Sequence, residues 1–421
     1  MFRLAGKEQF LKKERHGYKN VKIQRKAPIL IAGILMMLCA GILYLWSIFQ
    51  PHVAAYHGWS LADTSMTSSV MIFCFVLGNI SAGLVQEKIN PKYIAITGAV
   101  LFPLGLFLAS IIGSGTPLMI YLTYGVVGGI GCGLVYSTVL AVLQKWYASK
   151  MGLITGVVVG AFGLSVVIMS PLVQTLIERT NLPTTFRILS AAFFVILIIA
   201  AMFFRNPRVS YFYAEVTKIM ALENAKQFKP TQVLKSPAFY YVFISIFTSS
   251  AAYMVIVPFI STIAVARGLN PTLVLVSVMC TGVANASGRI LAPTISDKIG
   301  RTRTIMLASV VSAAACVLII YAQGPVYVLA IFLIALSFGS MGGLHPVITT
   351  ELWGARHSGI NYGMILVGLA LASVIFGKFA AMVSDSGNFT SVFILCAILC
   401  AFPILAMFLL KRRVKRLGKE I

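Results

Sequence analysis

Acidic residues are scarce in this chain. Its 421 residues include 11 Asp and Glu against 34 Lys and Arg, and charged residues of either sign make up only 11%. None of the acids falls inside an apolar run: Asp63, Glu178 and Asp385 lie at one set of run ends, Glu87, Asp297 and Glu351 at the other. Carboxylates within a membrane span are a common means of binding and releasing protons during transport. Without them, cation-coupled pumping of a neutral sugar is hard to support. Metal-binding acid pairs, histidine clusters and a serine or cysteine beside a base are also missing, which argues against an enzyme and against a cofactor or metal. The seven cysteines (Cys39, Cys74, Cys132, Cys280, Cys316, Cys396, Cys400) all fall in apolar runs, so no extracellular disulfide framework is expected. Cys396 and Cys400 share a helix face with no histidine beside them and read as packing.

Apolar residues are plentiful, at 59% of the chain with a mean hydropathy of +0.92. Twelve runs of about 18 or more mostly apolar residues are expected near 28–49, 64–85, 93–112, 117–142, 151–176, 186–204, 238–262, 271–295, 304–323, 325–350, 359–383 and 391–410. The fold class is therefore an all-α, multi-pass membrane protein, and an even number of spans puts both termini on one side. The net charge of +23 is concentrated in tails and alternate loops, nine basic residues preceding Pro28 and six following Leu410, while the other loops hold only Arg179 and Arg267. By the positive-inside rule both termini are cytoplasmic and the host is the cell membrane. The basic excess thus reflects topology and anionic lipid, not nucleic acid. The basic leader runs into a full-length span without a small-residue cleavage site, so a signal peptide is not expected. "NFT" at Asn388 is a glycosylation sequon in an outer loop, a motif short enough to arise by chance.

A shift of 210 residues brings Gly58 onto Gly268, Gly78-Asn79 onto Gly288-Arg289, and Glu87–Asn90 onto Asp297–Gly300; at a shift of 207, Trp146 and Gly152 fall on Trp353 and Gly359. This is a duplicated six-span unit whose two copies share one orientation. The expected organisation is a basic tail (1–27), a first half (28–204), a cytoplasmic linker (205–237) with a short amphipathic helix around "VTKIMALENAKQF", a second half (238–410) and a basic tail (411–421). Parallel halves place a site at their interface near the midplane, opened to each side in turn as one half rocks against the other. Since one chain carries both halves, it is expected to work as a monomer. Gly152, Gly156, Gly160 and Gly163 line one face of span five, allowing close backbone approach for either movement or static packing. "SDKIGR" and its weaker partner "QEKIN" set acids beside bases at the inner mouth. Glu87, Lys88, Asp297, Lys298 and Arg301 are accordingly candidate gating residues, latching one state by ion pairs.

Arg289 stands inside span eight, about 12 Å of helix rise from Asp297, at a depth where a cation costs at least about 2.5–3.5 kcal/mol. Thr281 and Asn285 share its face, one turn apart each, and side chains lean toward a helix N-terminus, here toward the midplane. Arg289 either pairs with an inner acid such as Asp297 or faces a cavity. In a cavity its planar fork suits a carboxylate. Lys378 in span eleven lies about 10 Å of rise below Asp385 and either snorkels to the outer interface or attracts the same anion. His345, beside Pro346 in span ten, is the one buried imidazole, either packed or relaying protons.

At these residues the chain resembles the major facilitator superfamily, and within it the oxalate/formate antiporter branch related to the monocarboxylate transporters. "YLWSIFQPHVAAYHGWS", "GLVYSTVLAVLQKWYASKMGLITGVVVGAFG", "GRILAPTISDKIGR" and "ELWGARHSGINYG" carry the likeness. The resemblance implies the major facilitator fold and an anion site in which Arg289 binds the substrate carboxylate. It also implies that Tyr44 and Tyr136 line that site, with Trp46 either scaffold or contact. Two features depart from the branch. Span eleven lacks a cation shortly after "NYG", and Asn90 replaces a glycine of the first-half motif. A lone arginine matches a single carboxylate, so a monocarboxylate such as formate, lactate or pyruvate is favoured over oxalate. Export of a larger or neutral compound, and a non-transporting sensor, are the alternatives. The candidate substrate-binding set is Arg289, Tyr44, Tyr136, Asn285, Lys378 and His345.

Overall fold

The structure, a computed structural model, describes residues 26–86, 88–113, 115–147, 151–207, 227–354, 357–384 and 388–416. Twelve helices among them are long and apolar enough to cross a bilayer. They are α1 (Ala27–His57), α2 (Leu61–Val85), α3 (Pro91–Ala109), α4 (Leu118–Trp146), α5 (Ile154–Arg179), α6 (Leu182–Met202), α7 (Pro237–Ala266), α8 (Pro271–Ile299), α9 (Arg301–Tyr321), α10 (Gly324–Trp353), α11 (Gly359–Ser384) and α12 (Thr390–Lys415). The chain is an all-α, multi-pass membrane protein. The expected amphipathic segment at 216–228 lies largely outside the described residues, as do Glu87 and Asp385.

The duplication is visible in local chemistry. α1 and α7 each lead into a left-handed glycine, Gly58 and Gly268, both with φ +71°, a conformation that only glycine adopts without strain. The next helix then starts from a side-chain cap: Ser60 Oγ accepts from the Asp63 amide at 3.0 Å, and Asn270 Oδ1 accepts from the Leu273 amide at 2.8 Å. The crossings repeat too. A Cβ on Gly78 would overlap the Ile130 carbonyl, and one on Gly288 the Leu336 carbonyl; Gly133 meets the Phe75 carbonyl as Gly339 meets that of Asn285. Small residues thus let α2 and α4, and equally α8 and α10, approach backbone to backbone. At the degraded first-half motif, Asn90 has φ −59° and caps α3 through the Lys92 amide at 3.0 Å, whereas Gly300 keeps φ +93°.

Two helices differ from their expected outline in ways that shape the interior. The first was expected to end near residue 49, before Pro51 and His52, but it continues to His57 with the proline inside. Gln50 lies fully buried there and donates to the Leu61 carbonyl at 2.9 Å, so a polar residue that reads as a stop is absorbed by tertiary contacts. Mid-span, α1 tightens into a 3-10 turn at Gly41–Leu45. Ser165 Oγ donates to the Leu38 carbonyl at 2.5 Å, and Cys132 Sγ to the Ala40 carbonyl at 3.3 Å, in competition with the intrahelical ladder. Tyr44 sits on this irregular turn.

The first six helices meet the last six most extensively along two crossings, with further contact between α1 and α7. In one, Ser373 of α11 donates to the Ser69 carbonyl of α2 at 3.1 Å. In the other, a Cβ on Gly282 of α8 would lie 2.7 Å from the Gly163 carbonyl of α5. Nearer the tails that second crossing loosens, with Ile290 3.8 Å from the Cβ positions of Gly156 and Gly160. All seven cysteines are free.

Candidate functional site

Arg289 projects from α8 into the space between the two sets of helices. Its Nε donates to Asn285 Oδ1 at 2.7 Å, one turn back toward the helix N-terminus, as the lean of helical side chains requires. Nη1 reaches the Tyr136 hydroxyl at 3.3 Å and Nη2 the Tyr44 hydroxyl at 3.5 Å. Both are long for hydrogen bonds, and a guanidinium carries five N–H donors, so much of its capacity is unspent. Among the described residues no carboxylate pairs with Arg289. Asp297, the acid that would have neutralised it, pairs instead with Arg301 at 2.5 Å.

Around the guanidinium is a cavity of about 40 Å³. At roughly 10–15 Å³ per water, that is space for about three waters. Its walls are aromatic. Phe162 of α5 packs edge-on against Tyr136 at 5.0 Å and against Tyr44 at 5.5 Å, and Phe75 of α2 packs against Tyr136 at 5.3 Å. From the last six helices come Phe338, stacked on Tyr253 at 4.1 Å, and Tyr362 of α11. On the α10 side Gly342 makes the room: a Cβ there would lie 3.2 Å from Arg289 Cζ. A fixed cation in a small enclosure walled by aromatic rings can attract and orient one small anion.

The other candidates from the sequence fall in different places. Asn285 is buried and holds Arg289 through its carbonyl oxygen, while its amide nitrogen has no partner. Thr281, on the same stripe, bonds back to the Val278 carbonyl at 2.7 Å. Lys378 is exposed and does not line the cavity, which corrects its place in the binding set. It shares an outward stripe of α11 with Leu371, Ile375, Phe379 and Met382, all exposed, so the helix turns its charge toward lipid and the interface. His345 does not line the cavity either. It is fully buried, Nδ1 2.8 Å from the Met341 carbonyl and Nε2 3.3 Å from Ser245 Oγ. Because a carbonyl only accepts, Nδ1 carries a proton, and the ring ties α10 to α7. Trp46 is buried and donates to the Thr64 carbonyl at 2.9 Å, a scaffold contact.

At the end of the bundle bearing the tails, Arg301 gathers Asp297 at 2.5 Å, Glu351 at 2.9 Å and the Pro293 carbonyl at 3.1 Å. These groups join α8, α9 and α10, all within the last six helices. Lys298 and Lys88 are exposed.

The sequence reading missed Asn79, Gly342, Phe162, Phe338 and Tyr362, which also line the cavity. Two signals pointed there: the duplication sets Asn79 on Arg289, and Tyr362 is the tyrosine of "NYG".

Comparison with known proteins fits this geometry. The chain is 24% identical over 349 residues to the uncharacterized MFS-type transporter YhjX of Escherichia coli (strain K12), covering 82% of this chain and 85% of that one. It is also 24% identical over 377 residues to the oxalate:formate antiporter of Oxalobacter formigenes, covering 88% and 87%. Among solved structures, the E. coli xylose transporter XylE in a partially occluded inward-open conformation superposes with a TM-score of 0.68 at 15% identity, over 90% of this chain and 98% of that one. At that identity the likeness speaks for the fold alone. The family model of the Major Facilitator Superfamily matches residues 29–377, and the chain belongs to that superfamily of transporters.

Proposed function

We propose that this transporter carries a small organic monocarboxylate, of the size of formate, lactate or pyruvate, across the cell membrane by alternating access. The observation that carries the proposal is the unpaired guanidinium of Arg289 inside a small aromatic cavity. A buried cation without a counter-ion is costly, and a carboxylate that docks on its planar fork removes that cost while occupied. One fixed cation balances one carboxylate; Lys378, the only other charge deep in a span by sequence, faces outward. The name of the Oxalobacter relative supports small carboxylates as the chemical class, whereas the lone charge favours the monoanion. Residues 28–204 and 238–410 act as the two rocking halves, with both basic tails on the cytoplasmic side. The close approach of Gly282 to Gly163, against ordinary contact of Gly156 and Gly160 with Ile290, gives the rocking movement a tight point of contact away from the tails. Arg301, Asp297 and Glu351 brace the second half at that mouth.

Counterflow in proteoliposomes tests this. Labelled formate, lactate and pyruvate are offered beside oxalate, malonate and xylose. Accumulation of monocarboxylates well above the other solutes supports the proposal. Preferential accumulation of xylose, or of dicarboxylates, overturns it.

A further inference from the structure

Toward the end that bears the tails, α1 and α6 part on the outside of the bundle and leave a groove of about 450 Å³. Ile31 and Leu35 of α1 wall it on one side, Ile196 and Ile199 of α6 on the other, and all four are exposed. Ala32 and Ala200, both buried, form its floor, so the groove exists because residues without bulk stand where the two helices meet. Every residue lining it is apolar. From Pro28 to Leu35 it runs roughly 10 Å along α1, about two-thirds of one leaflet of a hydrocarbon core about 30 Å thick.

The foot of the groove has the opposite character. Lys26 stands two residues before Pro28, with Nζ 5.2 Å from the centroid of the Tyr147 ring at the end of α4. Trp146 Nε1 donates to the Arg205 carbonyl at 2.7 Å and Lys145 Nζ to Asn206 Oδ1 at 3.3 Å. These bonds tie the end of α4 to the segment just after Phe203, the last groove residue of α6. Three basic side chains, Lys26, Lys145 and Arg205, are thereby gathered where an apolar trough opens at the membrane surface. An acyl chain needs only the trough, but a negative phosphate at its end gains from the cations. A zwitterionic headgroup carries its own cation and gains less. A second copy of this chain is a poorer occupant, because Asp297 and Glu351, acids that the helices carry at this end, are held by Arg301.

We propose that this groove binds one anionic phospholipid, its acyl chain laid between α1 and α6 and its phosphate held by Lys26, Lys145 and Arg205. The site is separate from the cavity at Arg289 and does not depend on what that cavity carries.

The test titrates the purified, delipidated protein with dioleoylphosphatidylglycerol or dioleoylphosphatidylcholine and reads binding by native mass spectrometry. The wild type should hold one phosphatidylglycerol roughly tenfold or more tighter than phosphatidylcholine, since each basic residue near an anionic lipid contributes about fivefold. Lys26→Gln with Arg205→Gln should cut that preference roughly tenfold or more. Lys235→Gln with Arg303→Gln, which removes two exposed charges at the same end of the last six helices, should leave it in place. Ala200→Phe fills the floor, keeps every charge and should weaken both lipids. The wild-type ratio needs no variant, so a folding defect does not obscure the answer. Equal wild-type binding of the two lipids overturns the proposal, as does a preference that survives in folded Lys26→Gln with Arg205→Gln. Displacement of the lipid by inorganic phosphate, or a second copy of the chain recovered in its place, also overturns it.

Discussion

Gly342→Ala is the smallest change that displaces the Arg289 guanidinium without touching its charge. The added methyl would lie 3.2 Å from Cζ, 3.4 Å from Nη2 and 3.5 Å from Nε. Carbon pairs settle at about 3.5–4.0 Å, so the guanidinium has to yield by roughly 0.3–0.8 Å. It is not free to do so: Nε is tethered to Asn285 at 2.7 Å, and moving off the methyl disturbs either that bond or the longer contacts to Tyr136 and Tyr44. A displacement of about 1 Å at a positioned group costs up to roughly 100-fold, so a fraction of that distance is expected to cost roughly tenfold. Inside a helix, alanine is otherwise preferred to glycine by about 0.5–1 kcal/mol, so folding stability should hold or rise. The assay pairs the KM for carboxylate counterflow with thermal unfolding of the purified protein. The expected result is a KM raised roughly tenfold with a melting temperature no lower than that of the wild type. An unchanged KM, or a loss of transport that tracks a loss of stability, would refute the close placement of Gly342 against the charge.

Three further outcomes are expected. Tyr136→Phe removes the 3.3 Å partner of Nη1 and should raise the substrate KM roughly threefold with little change in maximal rate, measured by counterflow. Lys378→Ala should leave uptake of mono- and dicarboxylates within about twofold of wild type, since an exposed side chain away from the site contributes little. His345→Ala removes the partner of the Ser245 hydroxyl at a buried site, while the Met341 carbonyl keeps its intrahelical bond, and should lower stability by about 1–3 kcal/mol, with the pH profile of the remaining transport unchanged.

The division between what was legible in the sequence and what was not follows the physics of membrane helices. Spans show because length and hydropathy are local, and Arg289 shows because a charge in such a run has no local excuse. Asn285 follows from helical spacing. The sequence offers Lys378 as a binding residue and the structure sets it outside the cavity, because lipid is as apolar as a helix interface. The outward residues Leu371, Ile375 and Phe379 look no different in sequence from buried ones, and the rotation of α11 could not be read. The same limit hid Phe162, Phe338 and Gly342, whose convergence depends on how helices from both halves cross. Tyr44 and Tyr136 were named only through resemblance; in isolation, each is an ordinary buried phenol. Asn79 is within reach of the sequence, because the duplication aligns it with Arg289.

The most direct test of the central claim is counterflow of labelled pyruvate and lactate by Arg289→Gln, with correct folding checked by size-exclusion behaviour and thermal unfolding. Glutamine keeps hydrogen-bonding groups and removes the charge. Loss of one partner of a buried charge pair costs about 2–5 kcal/mol, so transport should fall by roughly 30-fold or more in a folded protein. Wild-type kinetics in Arg289→Gln would contradict the account.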